Sequence, residues 1–139
     1  NEPSHHIAYL YNYTSAPHKG QAILDTVLRH FYQPTPGGII GNEDCGQMSA
    51  WYILSALGFY QICPGKAEYT LGRPLVDRAT LNLPGGKFII EVQGNSKTNK
   101  YVQSASINGR DITQTLTFSH SDLRPGGKLL IVMGSSPRK

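Results

Sequence analysis

At 139 residues the chain fits a single domain with a modest core, and 13 Lys and Arg against 9 Asp and Glu leave a formal charge of +4. The basic residues are scattered rather than gathered on one segment, which argues against a nucleic-acid surface. No apolar run approaches the ~18 residues that a membrane span needs, and two cysteines are too few for a disulfide framework or a zinc cluster.

The first residues, Asn1-Glu2-Pro3-Ser4-His5-His6, lack an initiator Met and run straight into the patterned segment Ile7-Ala8-Tyr9-Leu10-Tyr11, as a piece of a longer chain would. Adjacent histidines share neither a helix face nor a strand face, so the spacing predicts one packed and one solvated ring rather than a chelating pair. Glu2, with the carbonyls around it, suits a hard cation such as calcium. Tyr9, Tyr11, Asn12 and Tyr13 read equally well as a ligand-facing wall or as core tyrosines, and Asn12-Tyr13-Thr14 matches a glycosylation sequon.

From about His18 to Gln33, apolar residues recur at three- and four-residue steps (Ile23, Leu24, Val27, Leu28, Phe31), which predicts an amphipathic helix. Pro34-Thr35-Pro36-Gly37-Gly38 ends it. Lys19 and Gln21 near its start are either ligand contacts or ordinary surface residues. A loop carrying Asn42, Glu43 and Asp44 then leads to a second, largely buried helix from about Gly46 to Leu57, with Gly58 as its stop.

After Cys63-Pro64-Gly65 the pattern changes to short runs rich in β-branched and aromatic residues: Ala79–Leu83, Lys87–Gln93, Tyr101–Ile107, Asp111–Leu116 and Lys128–Met133. These predict an antiparallel sheet with Phe88, Ile90 and Val92 on one face. Asn108-Gly109 predicts a two-residue type I′ hairpin, because both residues tolerate positive φ. The fold class is therefore α+β, divided into helices over 1–62 and a β region over 63–139. Cys45 and Cys63 are either two part-buried thiols or, if the intervening helix folds back, one bridge.

Candidate chemistry concentrates in Gly41-Asn42-Glu43-Asp44-Cys45-Gly46. An acidic residue before a helix is usually a cap. A carboxylate pair beside aromatic residues such as Trp51 and Tyr52 is equally what a sugar cleft needs, since glycosidic cleavage uses one carboxyl to protonate the leaving oxygen and one to activate water.

These motifs together resemble the C-terminal part of glycoside hydrolase family 92: the run from Asn1 to Asn12, Pro17-His18-Lys19-Gly20-Gln21, Gly41 to Tyr52, Leu57-Gly58-Phe59-Tyr60, Cys63-Pro64-Gly65 and Tyr69 to Leu75. The similarity covers essentially the whole chain. It implies a calcium-dependent, inverting exo-α-mannosidase acting on α-mannosides, α-1,2-linked ones first, of N-glycans or mannans, like enzymes of gut Bacteroidetes. By the same resemblance, 1–62 are the last helices of an (α/α)6 barrel and 63–139 a sandwich-like β region beside it.

Carried over by position, Asp44 is similar to the family's general base, and Asn42 falls where many members have a second Asp. Glu2, with Asn1, falls in the calcium environment, and His6, Lys19, Glu43 and Trp51 fall in the substrate environment. His18 stands where Trp is expected and Gly20 where Thr is expected. The family's general acid is a Glu upstream of this segment, so the isolated chain is expected to be inactive.

The resemblance also implies a periplasmic or extracellular location. The implied partners are a mannose-containing oligosaccharide and the remainder of a parent polypeptide, with self-association through an apolar face where that remainder is missing. A non-catalytic carbohydrate-binding β module and a structural interaction domain are the competing readings. Both leave Asp44 a plain helix cap.

Overall fold

The computed structural model describes residues 1–138. A short 3-10 turn, Glu2–Ser4, and a 3-10 helix, Ile7–Tyr13, lead into helix α1, Pro17–His30. Helix α1 stops earlier than its apolar periodicity predicts, because the following loop closes on itself. Gln33 N donates to Gly38 O at 2.8 Å, and Tyr32 bridges Ile39. Helix α2, Gln47–Leu57, ends at Gly58, whose φ of 104° only glycine adopts without strain.

Strand β1, Phe59–Tyr60, follows at once and pairs antiparallel with β2, Glu68–Leu71. Next come β3, Arg78–Leu83, β4, Gly86–Gln93, β5, Tyr101–Ile107, and β6, Arg110–Asp111. The chain ends with β7, Thr117–Ser119, the one-turn α3, His120–Leu123, and β8, Gly127–Gly134. Two sheets result, one ordered β1-β2-β7 and one ordered β3-β4-β8-β5-β6.

The α+β class holds, but the larger sheet is mixed rather than antiparallel: β8 inserts between β4 and β5 and runs parallel to β4. Its apolar run, with Leu129, Ile131 and Met133 buried, suits a central strand covered by neighbours. Phe88, Ile90 and Val92 do face one side and lie in the same core. At the Asn108-Gly109 turn both residues have positive φ, 50° and 83°, and Ile107 faces Arg110 across it.

Asp111–Leu116 is not a strand beyond Asp111. Thr113 N donates to the Asp111 carboxylate at 2.8 Å, and Leu116 sits at φ 52°, so the segment turns instead of extending. Cys45 and Cys63 are both exposed and free, so neither the bridge nor the part-buried pair describes them.

The helical part has its own small core of Tyr9, Leu24, Leu28 and Trp51. It is fastened to the sheets by named bonds. Asn12 Nδ2 donates to Leu71 O at 2.7 Å, so the sequon asparagine is a structural tie, and Gln21 accepts from Val102 N at 3.0 Å and is buried. Gly72 passes so close to α1 that a Cβ there would lie 2.7 Å from Leu24 Cδ1.

Candidate functional site

The loop before α2 takes an unusual path. Asp44, Cys45 and Gly46 stand consecutively in the left-handed region, at φ 53°, 57° and 95°. Such a run is costly for non-glycine residues and is kept only where the surroundings impose it. Its effect is to turn Glu43 and Asp44 in different directions. Glu43 reaches forward, and its Oε1 accepts from Ser49 N at 3.1 Å, so Glu43 satisfies a free amide at the start of α2. Gly46 is the backbone cap residue and supplies no side chain.

Asp44 is therefore not the helix cap. Its carboxyl instead meets Glu2 in a side-chain hydrogen bond. Asn1, with its amide nitrogen turned towards the two acids, donates to Asp44 Oδ2 at 3.1 Å and to Glu2 Oε2 at 2.8 Å. The hydrogen bond with Glu2, then desolvation and the nearby charge, raise the Asp44 pKa above the usual aspartate value. Glu2 is held below the usual glutamate value by its own backbone amide and then by Asp44. Acid and base of an inverting glycosidase stand about 6.5–9.5 Å apart, so the hydrogen-bonded Glu2 is not the acid partner of Asp44.

The other expected site residues separate into three groups. Asn42 is exposed on the same loop, and Lys19 is exposed in the first turn of α1, paired with no described residue. His6 is half-buried, and its carbonyl starts the 3-10 helix by accepting from Tyr9 and Leu10. Trp51 is buried at 3% exposure, stacked against His5 at 4.9 Å and against Tyr32 at 5.8 Å. Its ring is not an open sugar platform, although its edge lines a cavity of about 260 Å³ shared with Asn1, His5, Ile23, Val27 and Phe31.

Sequence reasoning missed the group that organises this corner. His5, not His6, is the packed histidine, at 6% exposure, and burial lowers its pKa. Gln47 Nε2 lies 3.2 Å from His5 Nδ1 and donates to Tyr60 Oη at 3.1 Å, while Trp51 Nε1 donates to His5 O at 2.9 Å. The only local signal was the pair of adjacent histidines, one of which had to point inward.

Among the described residues no group of three or more His, Cys, Asp and Glu side chains could hold a metal. Glu2 and Asp44 are oxygen donors of the kind calcium takes, while the Asn1 amide turns its nitrogen to them, and calcium takes about 6–8 oxygens. The donor set fits a hard cation in kind, and this chain supplies only part of a shell.

A carboxyl free of capping duty and set against a second acid is a group that glycosidic cleavage can use. The chain belongs to glycosyl hydrolase family 92, whose catalytic-domain model matches residues 1–135. It is 38% identical, with a TM-score of 0.92, to a family GH92 α-mannosidase of Bacteroides thetaiotaomicron solved with mannoimidazole, covering 99% of this chain and 18% of that one. A family GH92 inverting mannosidase of the same organism is 40% identical with a TM-score of 0.89, over 99% and 19% respectively. An uncharacterised secreted glycosidase of Arthroderma benhamiae is 28% identical over 138 residues, 96% of this chain and 18% of that protein. The chain thus spans less than a fifth of the length of these relatives.

Proposed function

We propose that this chain is part of a calcium-dependent, inverting exo-α-mannosidase, with Asp44 as the base that draws a proton from the attacking water. The observation that carries the reading is the Asp44 carboxyl, released from helix capping by Glu43 and held at the rim beside Asn1 and Glu2. Family membership and the mannoimidazole complex of a relative support a mannoside as substrate. Asn42 cannot take up a proton, and its role is to orient the water. The acid is a Glu from elsewhere in the parent, so the isolated chain is inactive.

In the reading, residues 1–62 close an (α/α)6 barrel and 63–139 form the β region beside it. Glu2 would hold part of the calcium shell, with Asn1 joining it only once its amide turns the oxygen inward, and the ion would supply positive charge to sugar hydroxyls when bound. His6, Lys19 and Glu43 lie in the surrounding substrate region, and Trp51 acts by packing. The parent is periplasmic or extracellular, in line with the secreted relative, and no helix among the described residues is long and apolar enough to cross a membrane.

The test is release of mannose from α-mannobioses by the full-length parent, with NMR of the first-formed anomer. β-Mannose is the expected product, α-1,2-mannobiose the preferred substrate, and α-mannose as first product would overturn inversion. Chelation of calcium with EGTA should remove most of the activity, and added calcium, not magnesium, should restore it; full activity in EGTA-dialysed protein would exclude the metal.

The large exposed apolar residues, Ile7, Leu10, Tyr13, Ile23, Phe31, Ile40 and Ile53, all lie in the helical part. An apolar face of this kind marks an interaction surface. In the reading the rest of the parent covers it, and sedimentation of the isolated chain should show concentration-dependent association. A monodisperse monomer at high concentration would count against that cover.

A further inference from the structure

The Glu2–Asp44 contact joins two segments far apart in sequence, and neither holds its place by itself. Glu2 sits in a three-residue 3-10 turn and Asp44 in a run of left-handed residues. Three residues after Asp44 comes Gln47, in the first turn of α2, whose amide nitrogen reaches both His5 Nδ1 and Tyr60 Oη. An amide nitrogen has two hydrogens and no lone pair to offer, so both contacts use it as donor. His5 Nδ1 is therefore the acceptor nitrogen, and the proton of the neutral ring sits on Nε2.

That proton finds no acceptor: Nε2 is buried and unpartnered among the described residues. A buried donor without a partner costs free energy, so the ring does not prefer this orientation by itself. Gln47 imposes it from one side, and the Trp51 stack, at an interplanar angle of 16°, together with the Trp51 bond to His5 O, imposes it from the other. Freed from Gln47, the imidazole can turn to bring its protonated nitrogen to water, and the turn that carries Asn1 and Glu2 moves with it, since His5 N donates to Glu2 O at 3.2 Å.

We propose that Gln47 is a positioning residue for Asp44: by filling the His5 Nδ1 and Tyr60 Oη acceptors with its two amide hydrogens, it holds the Asn1–Glu2 turn against the Asp44 loop. The inference rests on the mannosidase reading for its consequence in rate, and on the hydrogen-bond geometry alone for its consequence in structure.

The experiment uses the full-length parent with four variants: Gln47→Leu, His5→Phe, the double variant, and His5→Asn, whose side-chain oxygen replaces the Nδ1 acceptor. Misplacement of a reacting group by about 1 Å costs on the order of 100-fold. The expected result is a fall in kcat of ~10- to 100-fold for Gln47→Leu and His5→Phe, with KM within about threefold. The double variant should be no worse than either single one, and His5→Asn should recover most of the rate.

A folded Gln47→Leu with kcat within about twofold of the parent would overturn the proposal, as would additive losses in the double variant. Should Gln47→Leu not fold, Tyr60→Phe removes one of the two acceptors at constant volume and carries the same split between kcat and KM. If the parent itself releases no mannose, the mannosidase reading fails. The crystal structure of a folded variant then decides: Glu2 and Asp44 separated beyond hydrogen-bond distance supports the positioning role, and an unchanged contact overturns it.

Discussion

Asp44→Asn in the full-length parent should abolish mannose release, with kcat down by about 10²–10⁴-fold, the range of a lost general base. The substitution is close to isosteric. Asn tolerates the left-handed backbone that Asp44 occupies at φ 53°, so the loop keeps its path and the loss reports chemistry rather than folding. The new amide can still donate to Glu2, which keeps the two segments together. Glu43→Gln makes the contrast: its side-chain oxygen still accepts from Ser49 N, so stability should stay near that of the parent, and any loss should fall on KM with kcat reduced far less than in Asp44→Asn. Rates measured for both variants under saturating mannoside separate the two acids, and an Asp44→Asn enzyme that keeps most of its activity would sink the base assignment.

That division between Glu43 and Asp44 was not legible in the sequence, where either acid suits the position before a helix. It depends on three consecutive residues with positive φ, and Asp44 and Cys45 carry no pattern that announces them. What the sequence did hold was local. The alternation Phe88, Ile90, Val92 and the Asn108-Gly109 turn were readable because each is decided by neighbours within a few residues. Lys128–Met133 was readable as a strand, but its parallel pairing with β4 was not, because that depends on a chain returning from β5, β6, β7 and α3. Trp51 looked like a ligand wall for the same reason: only the fold stacks His5 and Tyr32 against it. Grouping Asn1, Glu2 and Asp44 needed the family resemblance, since 40 residues and more separate the turn from the loop.

Arg73 is where the fold itself is most exposed to a single change, and nothing in its sequence setting, Gly72-Arg73-Pro74, predicts burial. Its side chain is 0% exposed, and Nε lies 2.7 Å from Asp25 Oδ1 of α1 as a charge contact rather than a well-aimed hydrogen bond. Nη1 donates to Asn95 Oδ1 at 2.9 Å and to Pro74 O, and Nη2 to Ser96 O at 2.7 Å. One guanidinium thus ties α1 to the segment after β2 and to the turn after β4. Burial pulls its pKa down and Asp25 holds it up, and an arginine stays charged through such opposition.

Removing one member of a buried pair leaves the other uncompensated, at a cost of about 3–5 kcal/mol. Arg73→Met should therefore lower the stability of the parent by about that amount in urea unfolding, although Asp25 keeps Arg29 at 2.8 Å as a second partner. Asp25→Asn should cost as much or more, because it strands the fully buried cation, whereas Arg29→Met, which removes a partly exposed partner, should cost less than about 1 kcal/mol. The order of the three losses is the test. If Arg29→Met destabilises as strongly as Arg73→Met, then Asp25 is held through the surface pair, and the link from helix to sheet lies elsewhere.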